Sequence, residues 1–261
     1  MDLGLKGRSA IVCASSAGFG FACAQALARE GVNVVLNGRD PKRLEEARER
    51  LAREIRPGSR ATVTAIAADL QTSEGRRRLL AAFPAPDILV TNMGGPKLGD
   101  FREFGEAEWH AAADAYTIAP IMLIKGVIDG MIERRFGRII NIASRAVRAP
   151  TPFYGLSNAC RAALCTFSLG LAREVAHYNV TVNNLLPGPF ATERQLTVID
   201  TIAARRGTDI ETVKRERTAE VPAGRFGEVG ELGAYCAFLC SDHAGFIVGQ
   251  NLLIDGGSVP A

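Results

Sequence analysis

Apolar and polar positions alternate along the chain in two periods. Short β-branched runs recur at Ser9 to Val12, Asn33 to Leu36, Thr62 to Ile66, Ile88 to Val90, Arg138 to Ile142, Thr181 to Leu185 and Leu252 to Ile254. Their length and residue types predict strands. Between them, Phe21 to Arg29, Pro41 to Ile55, Ala107 to Arg134 and Phe153 to Ala176 carry apolar residues at helical spacing. Asp40-Pro41 supplies a cap and a first-turn proline for the second of these helices. Strands alternating with helices imply parallel strands joined by right-handed crossovers, which is a doubly wound α/β sheet flanked by helices. No Pro/Gly/Ser-rich linker, internal repeat or compositional shift divides the 261 residues, so a single domain over 1–261 is expected.

Sheets of this kind take their ligands beyond the carboxyl ends of the strands, where the strand order reverses. The turn Cys13-Ala14-Ser15-Ser16-Ala17-Gly18-Phe19-Gly20 joins the first strand to the first helix at that edge. Small residues there let backbone N–H groups and the positive helix end approach a pyrophosphate, which points to a dinucleotide. Close packing of helix on strand is the structural alternative. The rest of the composition narrows the class. A net charge of +3 spread over interspersed acids and bases does not describe a nucleic-acid binder. Cysteines at 13, 23, 160, 165, 236 and 240 form no Cys-x-x-Cys pair and suit small buried hydrophobes in a reducing cytoplasm, with neither disulfide nor metal site. No secretory segment and no apolar run of membrane-spanning length is expected, so the chain is placed in the cytoplasm.

The ordered motifs resemble the classical short-chain dehydrogenase/reductase family from end to end. Besides Cys13 to Gly20 they are Ala68-Asp69-Leu70, Thr91-Asn92-Met93-Gly94, Asn141-Ile142-Ala143-Ser144, Pro187-Gly188, Gly224-Arg225-Phe226-Gly227 to Gly249-Gln250, and Asp255-Gly256-Gly257. The overall pattern is nearest to 3-oxoacyl-[acyl-carrier-protein] reductases. The resemblance implies a Rossmann-type fold and a nicotinamide cofactor lying against Ala14, Ser15, Ser16, Gly18, Phe19, Gly20, Asp69, Leu70, Asn92, Gly94, Pro187, Gly188 and Thr192. For Asp69 and Thr192, helix capping is the structural alternative. The family's Thr-Gly opening is Cys13-Ala14 here, and an alanine is expected to make the turn with negative φ. At the end of the second strand no carboxylate stands at Gly38 to hold a ribose diol, whereas Arg39 offers a fork for a 2′-phosphate. NADP(H) is therefore preferred over NAD(H), a surface arginine being the alternative.

In chemistry the resemblance implies hydride transfer in which Tyr154 moves the hydroxyl proton and Ser144 polarises the carbonyl. The family's Tyr-x-x-x-Lys reads Tyr154-Gly155-Leu156-Ser157-Asn158, so the lysine is missing. Asn158 still offers a hydrogen bond to ribose, yet it lacks the charge that favours a phenolate. Tyr154, Asn158 and Arg161 share a helix face at i, i+4 and i+7, and Arg161 is expected to replace part of the ammonium's field. Its pairing with an acid or a partner subunit is the alternative. Ser144 and Tyr154 also stand closer in sequence than the family's usual gap. The family's helix asparagine aligns with Tyr116. Pro120, four residues on, has no N–H for the carbonyl of residue 116, which is expected to hold the relay water through a kink.

Residues 190 to 222 are expected to form a helical lid insertion over the substrate. Lys97, Arg145, Arg148 and Arg194 lie on loops at the same edge and would favour a 3-oxoacyl compound or another anionic substrate. The functional expectation is an NADP(H)-dependent oxidoreductase interconverting a carbonyl and a secondary alcohol, assembled as a homodimer or homotetramer. A dinucleotide-binding sensor or scaffold that has lost catalysis is the second reading, which the missing lysine supports.

Overall fold

The computed structural model describes residues 1–55 and 61–260. Seven parallel strands, β1 Ser9–Val12, β2 Asn33–Gly38, β3 Val63–Ala67, β4 Ile88–Thr91, β5 Gly137–Ile142, β6 Val180–Pro187 and β7 Asn251–Ile254, form one sheet in the order 3-2-1-4-5-6-7. The order reverses between β1 and β4, so the turn after β1 opens into the crevice there.

Successive strand residues point to opposite faces, and both faces are covered. Val12, Leu36, Val90 and Ile140 pack with Leu27 of α1 (Gly18–Arg29), Leu44 of α2 (Pro41–Glu54) and Leu232 of α9 (Val229–Cys240). Their neighbours Ile11, Val35, Leu89 and Ile139 pack on the other side with Leu79 of α3 (Ser73–Ala82), Leu123 of α5 (Ala119–Glu133) and Ala172 of α6 (Gly155–Val175). The helical run Glu106–Glu133, with a mean hydropathy of 1.5 over its best window, is long and apolar enough to cross a membrane by length and composition. That corrects the expectation that no such run exists. It is a core helix: Leu123, Ile124, Val127 and Met131 are buried against the sheet.

This run comprises α4 (Glu106–Ala113) and α5, joined by a π turn over Asp114–Ile118. The N–H of Ala119 reaches back five residues to the carbonyl of Asp114. Pro120 explains the change of period, because it has no N–H to return to Tyr116. Beyond β6, two short helices, α7 (Glu193–Arg206) and α8 (Ile210–Ala219), pack on each other through Ile199, Ala203 and Val213.

Polar side chains hold β4 to β7 in register. Thr91, Asn141, Asn184 and Asn251 stand side by side on β4 to β7. Thr91 Oγ1 donates to Asn141 Oδ1 at 2.6 Å, Asn141 Nδ2 to Asn184 Oδ1 at 2.9 Å, and Asn184 Nδ2 to Asn251 Oδ1 at 2.8 Å. Ser168 of α6 accepts from the same Asn141 amide at 2.9 Å. This ladder anchors α6 two residues below Ala143-Ser144.

Candidate active site

The glycine turn is fastened from three sides. Ser15 is fully buried; its hydroxyl donates to the Val12 carbonyl at 2.8 Å and accepts the Asn37 N–H at 2.9 Å. Asn37 Nδ2 in turn reaches the carbonyls of Ile66 and Ala68, both at 3.1 Å. Asn92, from the end of β4, donates to the Ala14 carbonyl at 3.2 Å. That carbonyl leaves no space for a side chain at Gly20, where a Cβ would lie 2.4 Å from it. Under these constraints Ala14 adopts φ 44°, which overturns the expectation of a negative value. The left-handed conformation follows from packing around its carbonyl rather than from the preference of alanine. Burial pushes the Cys13 thiol up to about 12, so it stands in the turn as an inert small side chain.

At the start of α1, Ala17 provides no side-chain cap and the first turn contains no acid. Its backbone N–H groups are thus open to an anion. The turn faces a cavity of about 790 Å³ lined by Ala14, Ser16, Arg39, Asp69, Leu70, Gly94 and Tyr116 among others. Asp69 does not cap α3, a position held by Thr72; its carboxylate accepts the Gln71 N–H at 3.1 Å. Arg39 is exposed and, among the described residues, has no hydrogen-bond or ion-pair partner. Gly38 is buried, and a Cβ there would stand 3.3 Å from Leu44.

A second cavity of about 580 Å³ contains Ser144, Tyr154, Pro187 and Gly188, with Gln195 and Arg205 from α7 and Arg217 from α8. Ser144 Oγ accepts the Ala146 N–H at 3.2 Å, which leaves its O–H to donate elsewhere. Tyr154 precedes the first turn of α6 and is half-buried. Asn158 Nδ2 donates to the Thr151 carbonyl at 3.0 Å, while its Oδ1 is enclosed without a partner. The amide is therefore oriented with an acceptor left over.

The structure brings Arg161 to Tyr116. Its guanidinium lies 4.8 Å from the centre of the Tyr116 ring and donates to Ser157 Oγ. Burial pushes the Tyr116 hydroxyl upward, opposed by the nearby Arg161, Arg194 and Arg39 charges. Burial likewise lowers Arg161, and the Tyr116 hydroxyl opposes that shift. Helical spacing alone did not reveal this pairing, because the π turn decides where Tyr116 points. Thr117 Oγ1 secures the turn to α6 through the Cys160 carbonyl at 2.8 Å.

Three further expected contact residues have internal partners. Phe19 meets Phe190 edge to face at 5.1 Å, Asn92 holds the glycine turn, and Thr192 caps α7 by accepting the Gln195 N–H at 3.1 Å. The expected basic rim is also redistributed. Lys97 faces Glu108 at 3.7 Å and Arg194 donates to the Pro96 carbonyl, while Arg148 is exposed outside both cavities. Arg145 remains in the second cavity, joined by Arg205, Arg206 and Arg217 from the two following helices. Nothing in local sequence distinguishes these lid arginines from solvated ones; only the folding back of α7 and α8 does.

A ligand cleft at the reversal of strand order, above a helix with open N–H groups, defines a Rossmann-type dinucleotide-binding protein. The chain belongs to the short-chain dehydrogenase/reductase family of oxidoreductases. A family model described as enoyl-(acyl carrier protein) reductase matches residues 13–258. Dehydrogenase/reductase SDR family member 4 of Bos taurus is 31% identical over 98% of this chain and 88% of its own. Gluconate 5-dehydrogenase of Gluconobacter oxydans is 31% identical over 97% of this chain and 95% of its own. The crystal structure of L-sorbose reductase from Gluconobacter frateurii, complexed with NADPH and L-sorbose, superposes with a TM-score of 0.92. It is 31% identical, and each chain is covered completely. These relatives do not favour the sensor or scaffold reading.

Proposed function

We propose that this chain catalyses hydride transfer between NADP(H) and a carbonyl or secondary alcohol, the carbonyl being a 3-oxoacyl compound or another anionic one. The observation that carries this reading is that Ser144 and Tyr154 line one cavity together with Pro187 and Gly188. The residues fit the dinucleotide at separate points. The open N–H groups of α1 and the space over Gly18 suit the pyrophosphate, and the unpaired Asn158 Oδ1 suits a ribose hydroxyl. Arg39, free of other partners among the described residues and beside Gly38, which offers no carboxylate for a ribose diol, favours a 2′-phosphate over a bare diol.

When bound, the cofactor supplies or accepts the hydride. In the reductive direction the Ser144 O–H donates to the carbonyl oxygen, and the Tyr154 O–H delivers the proton as negative charge develops there. Asn158 orients ribose without contributing charge, and Arg161, held over the Tyr116 ring, adds positive charge near the first cavity. Residues 190 to 222 form the lid over this chemistry. Six free, buried cysteines support a reducing compartment, the cytoplasm. Exposed Met122, Phe167 and Leu169 on α5 and α6 support assembly of two or four copies through these helices.

The test is NADPH and NADH binding, followed by cofactor oxidation against ketones, aldehydes and 3-oxoacyl thioesters. Turnover with tighter NADPH binding, lost toward NADH-like affinity in Arg39→Ala, is expected. Binding without oxidation on the whole panel would overturn the catalytic reading.

A further inference from the structure

The second cavity contains donors without acceptors. Gln195 reaches it from α7 and Arg217 from α8, and Gln195 Nε2 and Arg217 Nε are both enclosed without a hydrogen-bond partner. An enclosed donor left unpaired is costly, and the side chains that carry these two atoms line the cavity, so an acceptor brought there from outside the chain would relieve that cost. The charge of the wall has one prevailing sign. Arg206 is matched by Glu216 at 2.6 Å, but among the described residues no carboxylate pairs with Arg145, Arg205 or Arg217. Arg205 lies 5.7 Å from the centre of the Phe153 ring, and Glu220 is the single acid among the cavity's lining residues.

Two unpaired donors on facing helices, within a wall of surplus positive charge, suit a group with several acceptor oxygens. They do not suit a neutral chain, which would leave both donors buried and unpaired. We propose that the substrate carries its own anionic group, a carboxylate or a phosphate, and that Gln195 and Arg217 hold that group beneath the lid helices. The proposal rests on the oxidoreductase reading and narrows it: a compact anionic carbonyl or alcohol fits, whereas a carrier-bound thioester would present only its neutral acyl chain to these donors. Gln195 and Arg217 are specificity residues, distant in role from the proton-moving hydroxyls of Ser144 and Tyr154.

The test uses the full chain with NADPH and two matched pairs of probes, levulinate against methyl levulinate and dihydroxyacetone phosphate against dihydroxyacetone. At least one anion is expected to exceed its neutral partner by about tenfold or more in kcat/KM, a charge-assisted hydrogen bond being of that order. The pair that shows the preference distinguishes carboxylate from phosphate. Arg217→Gln and Gln195→Leu are each expected to reduce the preference about fivefold or more, chiefly through KM of the anion, with Arg217→Lys falling between. Binding is read separately by calorimetric titration of succinate and inorganic phosphate, with and without NADP⁺; saturable binding weakened in Arg217→Gln is expected. Equal turnover of anions and neutral partners, or variants that change neither preference nor anion binding, would overturn the proposal. If none of these four probes is reduced, the anion titrations alone decide whether Gln195 and Arg217 form an anion site, and the oxidoreductase reading is judged on the wider panel of ketones, aldehydes and 3-oxoacyl thioesters.

Discussion

The floor and the roof of the site differ in how completely their polar groups are satisfied. In the floor, Ser15, Asn37 and Asn92 clamp the glycine turn, and the Thr91-Asn141-Asn184-Asn251 ladder ties β4 to β7 together, all within the protein. In the roof, Gln195 and Arg217 of the lid helices each leave an enclosed polar atom unpaired, as does Asn158 at the start of α6. The difference assigns separate physical tasks to the two regions. These side chains, satisfied from within, keep the turn and the strands in place whether or not a ligand is bound, and so contribute stability and preorganisation, while the open N–H groups of α1 are left to the ligand. Roof groups reach their full hydrogen bonding only with a ligand, so their contribution appears as affinity and specificity.

The strongest way to break this contrast is within the ladder. Asn141→Ala removes two donated hydrogen bonds and one accepted bond, leaving groups of Thr91, Ser168 and Asn184 buried. At about 1–3 kcal/mol for each unsatisfied group, a loss of about 3 kcal/mol or more is expected in chemical denaturation. Gly20→Ala comes next. Its methyl would stand 2.4 Å from the Ala14 carbonyl, and overpacking of this kind costs about 1–3 kcal/mol while displacing the turn. Lower stability by denaturation and weaker NADPH binding by fluorescence titration should therefore appear together.

At the groups left unpaired the two measurements should separate. Asn158→Ala is expected to leave the stability of the free protein within about 0.5 kcal/mol, because the lost Thr151 contact is partly offset by removal of an unpaired oxygen. NADPH affinity should nevertheless fall by about 0.5–1.5 kcal/mol, or roughly two- to tenfold. A stability loss as large as that of Asn141→Ala would abolish the distinction between floor and roof. The smallest effect is expected for Ala14→Gly. Release from positive φ gains about 1–2 kcal/mol, and greater freedom of the unfolded glycine offsets about 0.4–1 kcal/mol of it. A net stabilisation of about 0–1.6 kcal/mol should be measurable by thermal unfolding.

The same division explains what could be read along the chain. Strand periodicity, the glycine turn and the positions of Ser144 and Tyr154 at the carboxyl edge were legible because they depend on local pattern and on chain order. The sign of φ at Ala14 was not, because Gly20 and Asn92 set it from elsewhere in the fold. Nor was the partner of Arg161: a straight helix would keep the i, i+4 and i+7 relation to Tyr154 as the main neighbourhood, whereas the π turn presents Tyr116 to it. The lid arginines escaped for a similar reason. Arg205 and Arg217 belong to polar helices whose inward side is defined only by their packing on each other.

Oxidoreductase chemistry itself is tested most directly by Tyr154→Phe, assayed for NADPH oxidation on the best ketone substrate alongside NADPH binding. Binding should remain within about twofold of the wild type, since removing one hydroxyl outside the dinucleotide cleft alters little there. Turnover should fall by about 100-fold or more, in keeping with loss of a positioned proton donor. Wild-type turnover by the phenylalanine variant would contradict Tyr154 as the proton donor and, with it, the proposed mechanism.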